Sequence, residues 1–220
     1  MILNGFMADH EWIEPIDEYL KEQGYPTYSL DIATTGPHAA GHKKWIRYAQ
    51  DELTKLGKKY RDIVLIGFSM GGLLGLNLAL KNNIKAVITI GTPIYCLDFN
   101  AILKNVKPVK TLSVNMSQVR RYLYWALNIP ARPLLSLLSL INTTKQHVLQ
   151  KVTAPALIIH GQRDDIARCA SADYIYNSIR SRVKYRRYYE KSSHNIFAEE
   201  EKDIMFNEIH TFIQSVENIQ

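Results

Sequence analysis

Ile63-Val64-Leu65-Ile66-Gly67-Phe68-Ser69-Met70-Gly71-Gly72-Leu73-Leu74-Gly75-Leu76-Asn77-Leu78 is the stretch whose reading decides the fold. A β-branched apolar run reads as a buried strand, and the leucine-rich segment after Gly72 reads as a helix. The chain turns from one into the other through G-x-S-x-G at Gly67 to Gly71. As a bare string this pattern is weak, since average glycine and serine usage yields it in about one chain of this length in fifteen. Strand before and helix after give it meaning. A turn this sharp needs residues without side chains at 67 and 71 and holds Ser69 out into a cleft. The following helix adds a positive dipole end and the Met70 backbone N–H, a donor for an oxyanion forming beside Ser69.

Outward from this turn, short apolar runs alternate with longer segments of helical period, the pattern of a parallel sheet covered on both faces. The expected class is α/β, a mostly parallel sheet of about six strands with helices on both faces. Strands are expected at Met1 to Asn4, Tyr25 to Asp31, Asp62 to Gly67, Ile84 to Ile90, Ala156 to Gly161 and Lys184 to Tyr189. Helices are expected near His10 to Gln23, His42 to Tyr60, Met70 to Lys81, Ala170 to Ser178 and Glu199 to Val216. Right-handed crossovers put the strand C-termini on one edge. The loop after the first strand, Asn4-Gly5-Phe6-Met7, then arrives beside Ser69, and Phe6 N–H is the expected second oxyanion donor. An ordinary strand-to-helix turn is the alternative for Gly5 and Phe6.

A serine hydroxyl needs a base to take its proton and a carboxylate to orient that base. The strand Ala156 to Gly161 ends in Gln162-Arg163-Asp164-Asp165, which puts an acid at the active edge. Asp164 is the expected acid and Asp165 its competitor, since neighbours on a turn point differently. Of seven histidines, His194 in Ser192-Ser193-His194-Asn195 is the one between the last strand and the last helix, and it is the expected base. His160, inside a strand, is read as a packed residue.

The rhythm breaks between Thr92 and Lys151, where no good strand occurs and prolines stand at 93, 108, 130 and 133. This divides the chain into a core, 1–92 and 151–220, and a helical cap inserted at 93–150. Leu134, Leu135, Leu137, Leu138, Leu140 and Ile141 form an apolar patch there, either a helix packed on the core or one wall of an acyl pocket.

Composition narrows the classes. The 220 residues, 46% of them hydrophobic, suffice for one sizeable core. No apolar run reaches the length of a membrane span and no signal-peptide pattern opens the chain, so a soluble, cytoplasmic protein without stable membrane insertion is expected. The net charge of +6 comes from lysines and arginines scattered over separate faces, without a nucleic-acid-binding motif. No nucleic-acid partner is expected, and oligomeric state is left open. Cys96 and Cys169 lack disulfide or zinc spacing and read as idle thiols. Neither metal nor cofactor is expected.

These residues together resemble the α/β-hydrolase superfamily, and in particular small bacterial carboxylesterases and monoacylglycerol lipases with a short helical cap. The resemblance rests on Gly5-Phe6, on Gly67-Phe68-Ser69-Met70-Gly71-Gly72, on Pro155 through Asp164, and on Ser193-His194, and it spans nearly the whole chain. It implies Asp164 rather than Asp165 as the acid. Asn4 departs from the family, which usually carries histidine there. Only Met1-Ile2-Leu3 precede the loop, so the N-terminal strands are expected to be abbreviated. The implied activity is cleavage of carboxylic esters of short to medium acyl chain, monoacylglycerols among them, through an acyl-enzyme on Ser69. A thioesterase or acyltransferase would use the same residues, and a weakly active binding protein could stand on the same scaffold.

Overall fold

In the computed structural model, which describes residues 1–8, 10–32, 41–80, 84–96 and 131–217, the strands are β1 (Ile2–Leu3), β2 (Ser29–Leu30), β3 (Ile63–Phe68), β4 (Ile84–Ile90), β5 (Ala156–Gly161) and β6 (Lys184–Tyr189). All pair in parallel, in the order β2-β1-β3-β4-β5-β6. Among the described residues the helices are α1 (Glu14–Glu22), α2 (His42–Gly57), α3 (Met70–Leu78), α4 (Ala131–Thr143), α5 (Ala170–Ser178) and α6 (Lys202–Glu217). The chain reverses its direction of travel across the sheet between β1 and β3. Loops leaving these neighbours diverge to opposite faces and open a crevice at their C-termini, the usual ligand position in such sheets.

Strand alternation sorts the core into two layers. Leu65 of β3, Val87 of β4 and Ile158 of β5 join Trp45 and Leu53 of α2, Leu73 and Leu76 of α3, and Leu140 of α4. Ile66 and Phe68 of β3, Ile88 of β4 and Ile159 of β5 join Ile16 of α1 and Phe206, Ile209 and Ile213 of α6. Helices therefore cover both faces. The edge strand β6, Lys-Tyr-Arg-Arg-Tyr-Tyr, carries charged and aromatic side chains that blunt its open side.

β4, β5, β6 and α5 fall where the sequence reading puts them. Differences concentrate near the N-terminus. The segment His10 to Gln23 is not one helix: a single 3-10 turn at His10–Trp12 precedes α1, because Pro15 has no N–H to donate and fits only the first turn of a new helix. β1 and β2 are two residues each, although Ile2 N–H to Tyr28 O, Asn4 N–H to Leu30 O and Ile66 N–H to Met1 O prolong the pairing. Pro26, which cannot donate to a ladder, lies ahead of β2. α2 stops at Gly57, α3 at Leu78, and α6 starts at Lys202 after a 3-10 turn at Ile196–Ala198.

Most of the segment 93–150, expected as an inserted cap, lies outside the described residues, including Pro108 and Pro130. Its described end is helical: α4 continues into a π-helical turn at Thr144–Val148 and a 3-10 turn at Leu149–Lys151. Leu140 and Ile141 are buried in the core and Leu137 packs against it, whereas Leu135 and Leu138 are exposed. Among the described residues no helix is long and apolar enough to cross a membrane.

Candidate active site

Ser69 sits between β3 and α3 with φ 51 and ψ −118, one of two non-glycine residues with positive φ among the described residues. Its neighbours explain the flanking glycines. A Cβ at Gly71 would lie 2.0 Å from Leu3 O, and one at Gly67 would lie 2.3 Å from Gly71 O, so any side chain would push the turn away from β1. Ser69 N–H is tied to Ile90 O at the end of β4. The strained conformation, of order 1–3 kcal/mol, is held by its surroundings.

From Ser69 a chain of hydrogen bonds runs inward. Ser69 Oγ lies 3.1 Å from His194 Nε2, and His194 Nδ1 lies 2.8 Å from Asp164 Oδ2. The carboxylate can only accept, so Nδ1 carries the hydrogen and Nε2 is left as acceptor for the serine proton. Phe68 packs against the His194 ring with centroids 5.2 Å apart, itself stacked on Trp12 and flanked by Phe197. These aromatic contacts restrict the imidazole and keep its surroundings apolar.

Asp164 rather than Asp165 faces the histidine. Its side chain is 1% exposed, and its second oxygen, Oδ1, accepts the backbone N–H of Ile166 at 2.9 Å and of Ala167 at 2.7 Å. Burial works against its charge, but the bonds from His160 and His194 outweigh it and hold the carboxyl well below its usual range. Asp164 is thus a fixed anion at the bottom of the site.

On the other side, the loop after β1 is organised by Asn4, which is fully buried. Its Nδ2 donates to Ala8 O and to Asp31 Oδ1, both at 3.0 Å, and its Oδ1 accepts Gly5 N–H at 2.8 Å. This ring of bonds folds residues 5–8 over one another, with Met7 at φ 53. Gly5 packs so closely that a Cβ there would come within 3.3 Å of Ser69 Cβ. Phe6 follows this glycine with its ring near Trp45, and Met70 opens α3 directly after Ser69. The first-turn amides of a helix have no intrahelical acceptor, which leaves Met70 N–H available to a ligand.

Two residues carry more than the sequence suggests. Asn4, in place of the family's histidine, makes the bonds that close the loop. His160, read as a packed strand residue, is packed but also touches Asp164. Burial, then the nearby Asp164 charge, pushes the Cys96 thiol up to about 11, and Cys169 is raised for the same reasons. Among the described residues no group of three or more His, Cys, Asp or Glu is disposed to hold a metal ion.

A parallel sheet crossed by a strand-serine-helix turn at its switch point, with an acid and a histidine delivered from later loops, defines a serine hydrolase of the α/β-hydrolase class. More narrowly, the chain belongs to the family Hydrolase_4, described as serine aminopeptidase, S33, which it matches over residues 1–201. It is 22% identical over 233 aligned residues to a carboxylesterase of Bacillus subtilis (strain 168), covering 99% of this chain and 92% of that protein. Among solved structures it is similar to one from work on LipS and LipT, two metagenome-derived lipolytic enzymes (TM-score 0.78, 17% identity, 97% of this chain and 92% of that one). It is also similar to a monoacylglycerol lipase of Paleococcus ferrophilus (TM-score 0.75, 18% identity, 98% and 93%). At these identities the structural likeness is one of fold.

Proposed function

We propose that the chain hydrolyses carboxylic esters of short to medium acyl chain, monoacylglycerols among them, through an acyl-enzyme on Ser69. The observation that carries this reading is the unbroken path from Ser69 Oγ through His194 to Asp164, 3.1 and 2.8 Å. Ser69 Oγ attacks the ester carbonyl carbon while His194 Nε2 takes its proton. The carbonyl oxygen becomes an oxyanion, which Phe6 and Met70 N–H stabilise. As the intermediate collapses, His194 returns the proton to the leaving alcohol. Water, deprotonated by the same nitrogen, then attacks the acyl-enzyme and releases the acid and Ser69.

The carboxylesterase and monoacylglycerol lipase among the similar proteins favour an ester over an amide substrate. The leucine-rich α4 within the 93–150 segment, which we take as the cap, suits a hydrocarbon tail. A p-nitrophenyl ester series from acetate to decanoate tests the reading, with an aminoacyl p-nitroanilide alongside. Turnover is expected on the esters, strongest at short to medium chains, and Ser69→Ala should lower kcat by about a thousand-fold or more. Asp164→Asn should lose far more activity than Asp165→Asn. Esterase activity that survives Ser69→Ala overturns the proposal.

A further inference from the structure

His160 is a buried polar group that the reaction above does not use. It sits near the C-terminal end of β5, paired on one side with β4 through the strand and on the other with Tyr188 of β6, so its backbone is fixed by the sheet. Its side chain is 1% exposed. Its Nε2 lies 2.9 Å from Ala167 O and 3.3 Å from Asp164 Oδ2. Both are acceptors, so Nε2 carries a hydrogen, which is donated to Ala167 O while Asp164 Oδ2 faces it at the longer distance.

A histidine bonded to a backbone carbonyl can be an ordinary core residue. What sets this one apart is the carboxylate beside that bond. Asp164 stands on the turn after β5, and the amides that hold its Oδ1, Ile166 and Ala167, belong to that same turn. They shape the turn without fastening the carboxylate to the sheet. His160 ties it to β5, donating to Ala167 O and lying against Asp164 Oδ2, beside the ties of Arg168 N–H to Tyr95 O and of Ala167 to Cys96. Oδ2 is also the oxygen that receives His194 Nδ1 at 2.8 Å. Two backbone donors on Oδ1 and the His160 ring beside Oδ2 brace the carboxylate in the rotation that points Oδ2 at His194. The downward shift of Asp164 is consistent with this, His160 being the largest of the influences that favour its charge.

We propose that His160 is a positioning residue for the hydrolytic reaction: it locks the Asp164 carboxylate in the rotation that orients His194 and keeps Nε2 free for the Ser69 proton. It touches neither substrate nor the reacting atoms and acts through Asp164. The proposal rests on the Ser69–His194–Asp164 reading, and Ser69→Ala tests that reading separately. If Ser69→Ala keeps esterase activity, that reading falls, and with it the ground for this one.

The test uses the full chain and p-nitrophenyl butyrate. His160→Leu removes the donor at similar bulk and is expected to lower kcat by about 10–100-fold with KM within about two-fold. His160→Gln can place an amide N–H where Nε2 was and should recover to within about five-fold of the unaltered protein. His160→Asn carries the same amide on a stem too short to reach Asp164 and should behave like leucine. If the leucine variant does not fold, the glutamine and asparagine pair decides. In an Asp164→Asn background the loss from His160→Leu should shrink to less than about three-fold, since the group it positions is gone. Equal kcat in glutamine and asparagine variants overturns the proposal, and so does an undiminished loss in the Asp164→Asn background.

Discussion

Ser69 shows a residue placed against its own backbone preference. Its φ of 51 and ψ of −118 suit glycine, and the hydroxyl that the site needs is bought with strain. The strain resides in the residue, since Gly67 and Gly71 already relieve the contacts with β1 and α3. Ser69→Gly should therefore abolish ester turnover and raise unfolding stability by about 1 kcal/mol, as read by urea denaturation. A loss of stability would mean that the Oγ bond to His194 outweighs the strain. The sequence shows this position because glycine spacing and the flanking strand and helix are local features. His194 and Asp164 are legible because strand order dictates where each loop emerges. The bond from His160 to Asp164 is not, since it depends on how the turn from Gln162 to Arg168 folds back on β5, which no periodicity records. Asn4 is intermediate: its departure from histidine is visible, the side-chain bonds it makes are not.

At the scale of elements, what the sequence reveals follows from how much each segment depends on its neighbours. β4 and β5 are mostly apolar runs, buried on both faces apart from Lys85, so pattern fixes their ends. β1 and β2 owe their pairing to the backbone of β3 and to each other, and their two-residue spans were not readable from composition. α4 illustrates an ambiguity that pattern cannot resolve. Six apolar side chains between Leu134 and Ile141 suit either a core helix or a pocket wall, and the structure splits them: Leu140 is 0% exposed and Leu135 63%. A buried Asn77 amide of α3, bonded to Leu73 O and to Thr144 Oγ1 just after α4, fixes the rotation of that end. Leu140→Ala should thus cost about 2–5 kcal/mol of stability through the cavity it leaves. Leu135→Ala should stay within about 0.5 kcal/mol. Equal losses in denaturant titrations would show that the exposed face is buried in solution.

For the whole molecule, acid stability follows from where its carboxylates sit. Burial of Asp17 opposes its charge, but Lys21 and neighbouring hydroxyls lower it; Glu52 is lowered by Lys55 and Tyr28. Asp164 is lowered by His160 and His194 against its burial, and Glu201 by Ser192 and backbone amides against its own. Each of these groups holds its proton less tightly folded than unfolded. Their contribution is present above the ordinary carboxylate pKa near 4 and is lost as pH falls through the lower folded values. At the alkaline end Tyr28, bonded to Glu52, is pushed up to about 12, and burial followed by Glu208 raises Tyr189. These phenols keep their protons longer folded than unfolded, so their contribution is full below about pH 10 and is lost as pH rises beyond it. The carboxylates and phenols together should lower urea midpoints as pH falls below about 4 and as it rises above about 10. Glu201 is partly exposed and contributes little because water screens it, whereas the Asp164 side chain is 1% exposed. Asp164→Asn should therefore flatten the drop between pH 6 and pH 3 measurably more than Glu201→Gln does. A steeper drop in the Asp164→Asn variant, or equal slopes in the two, would remove Asp164 as the principal acid-sensitive tie of the fold.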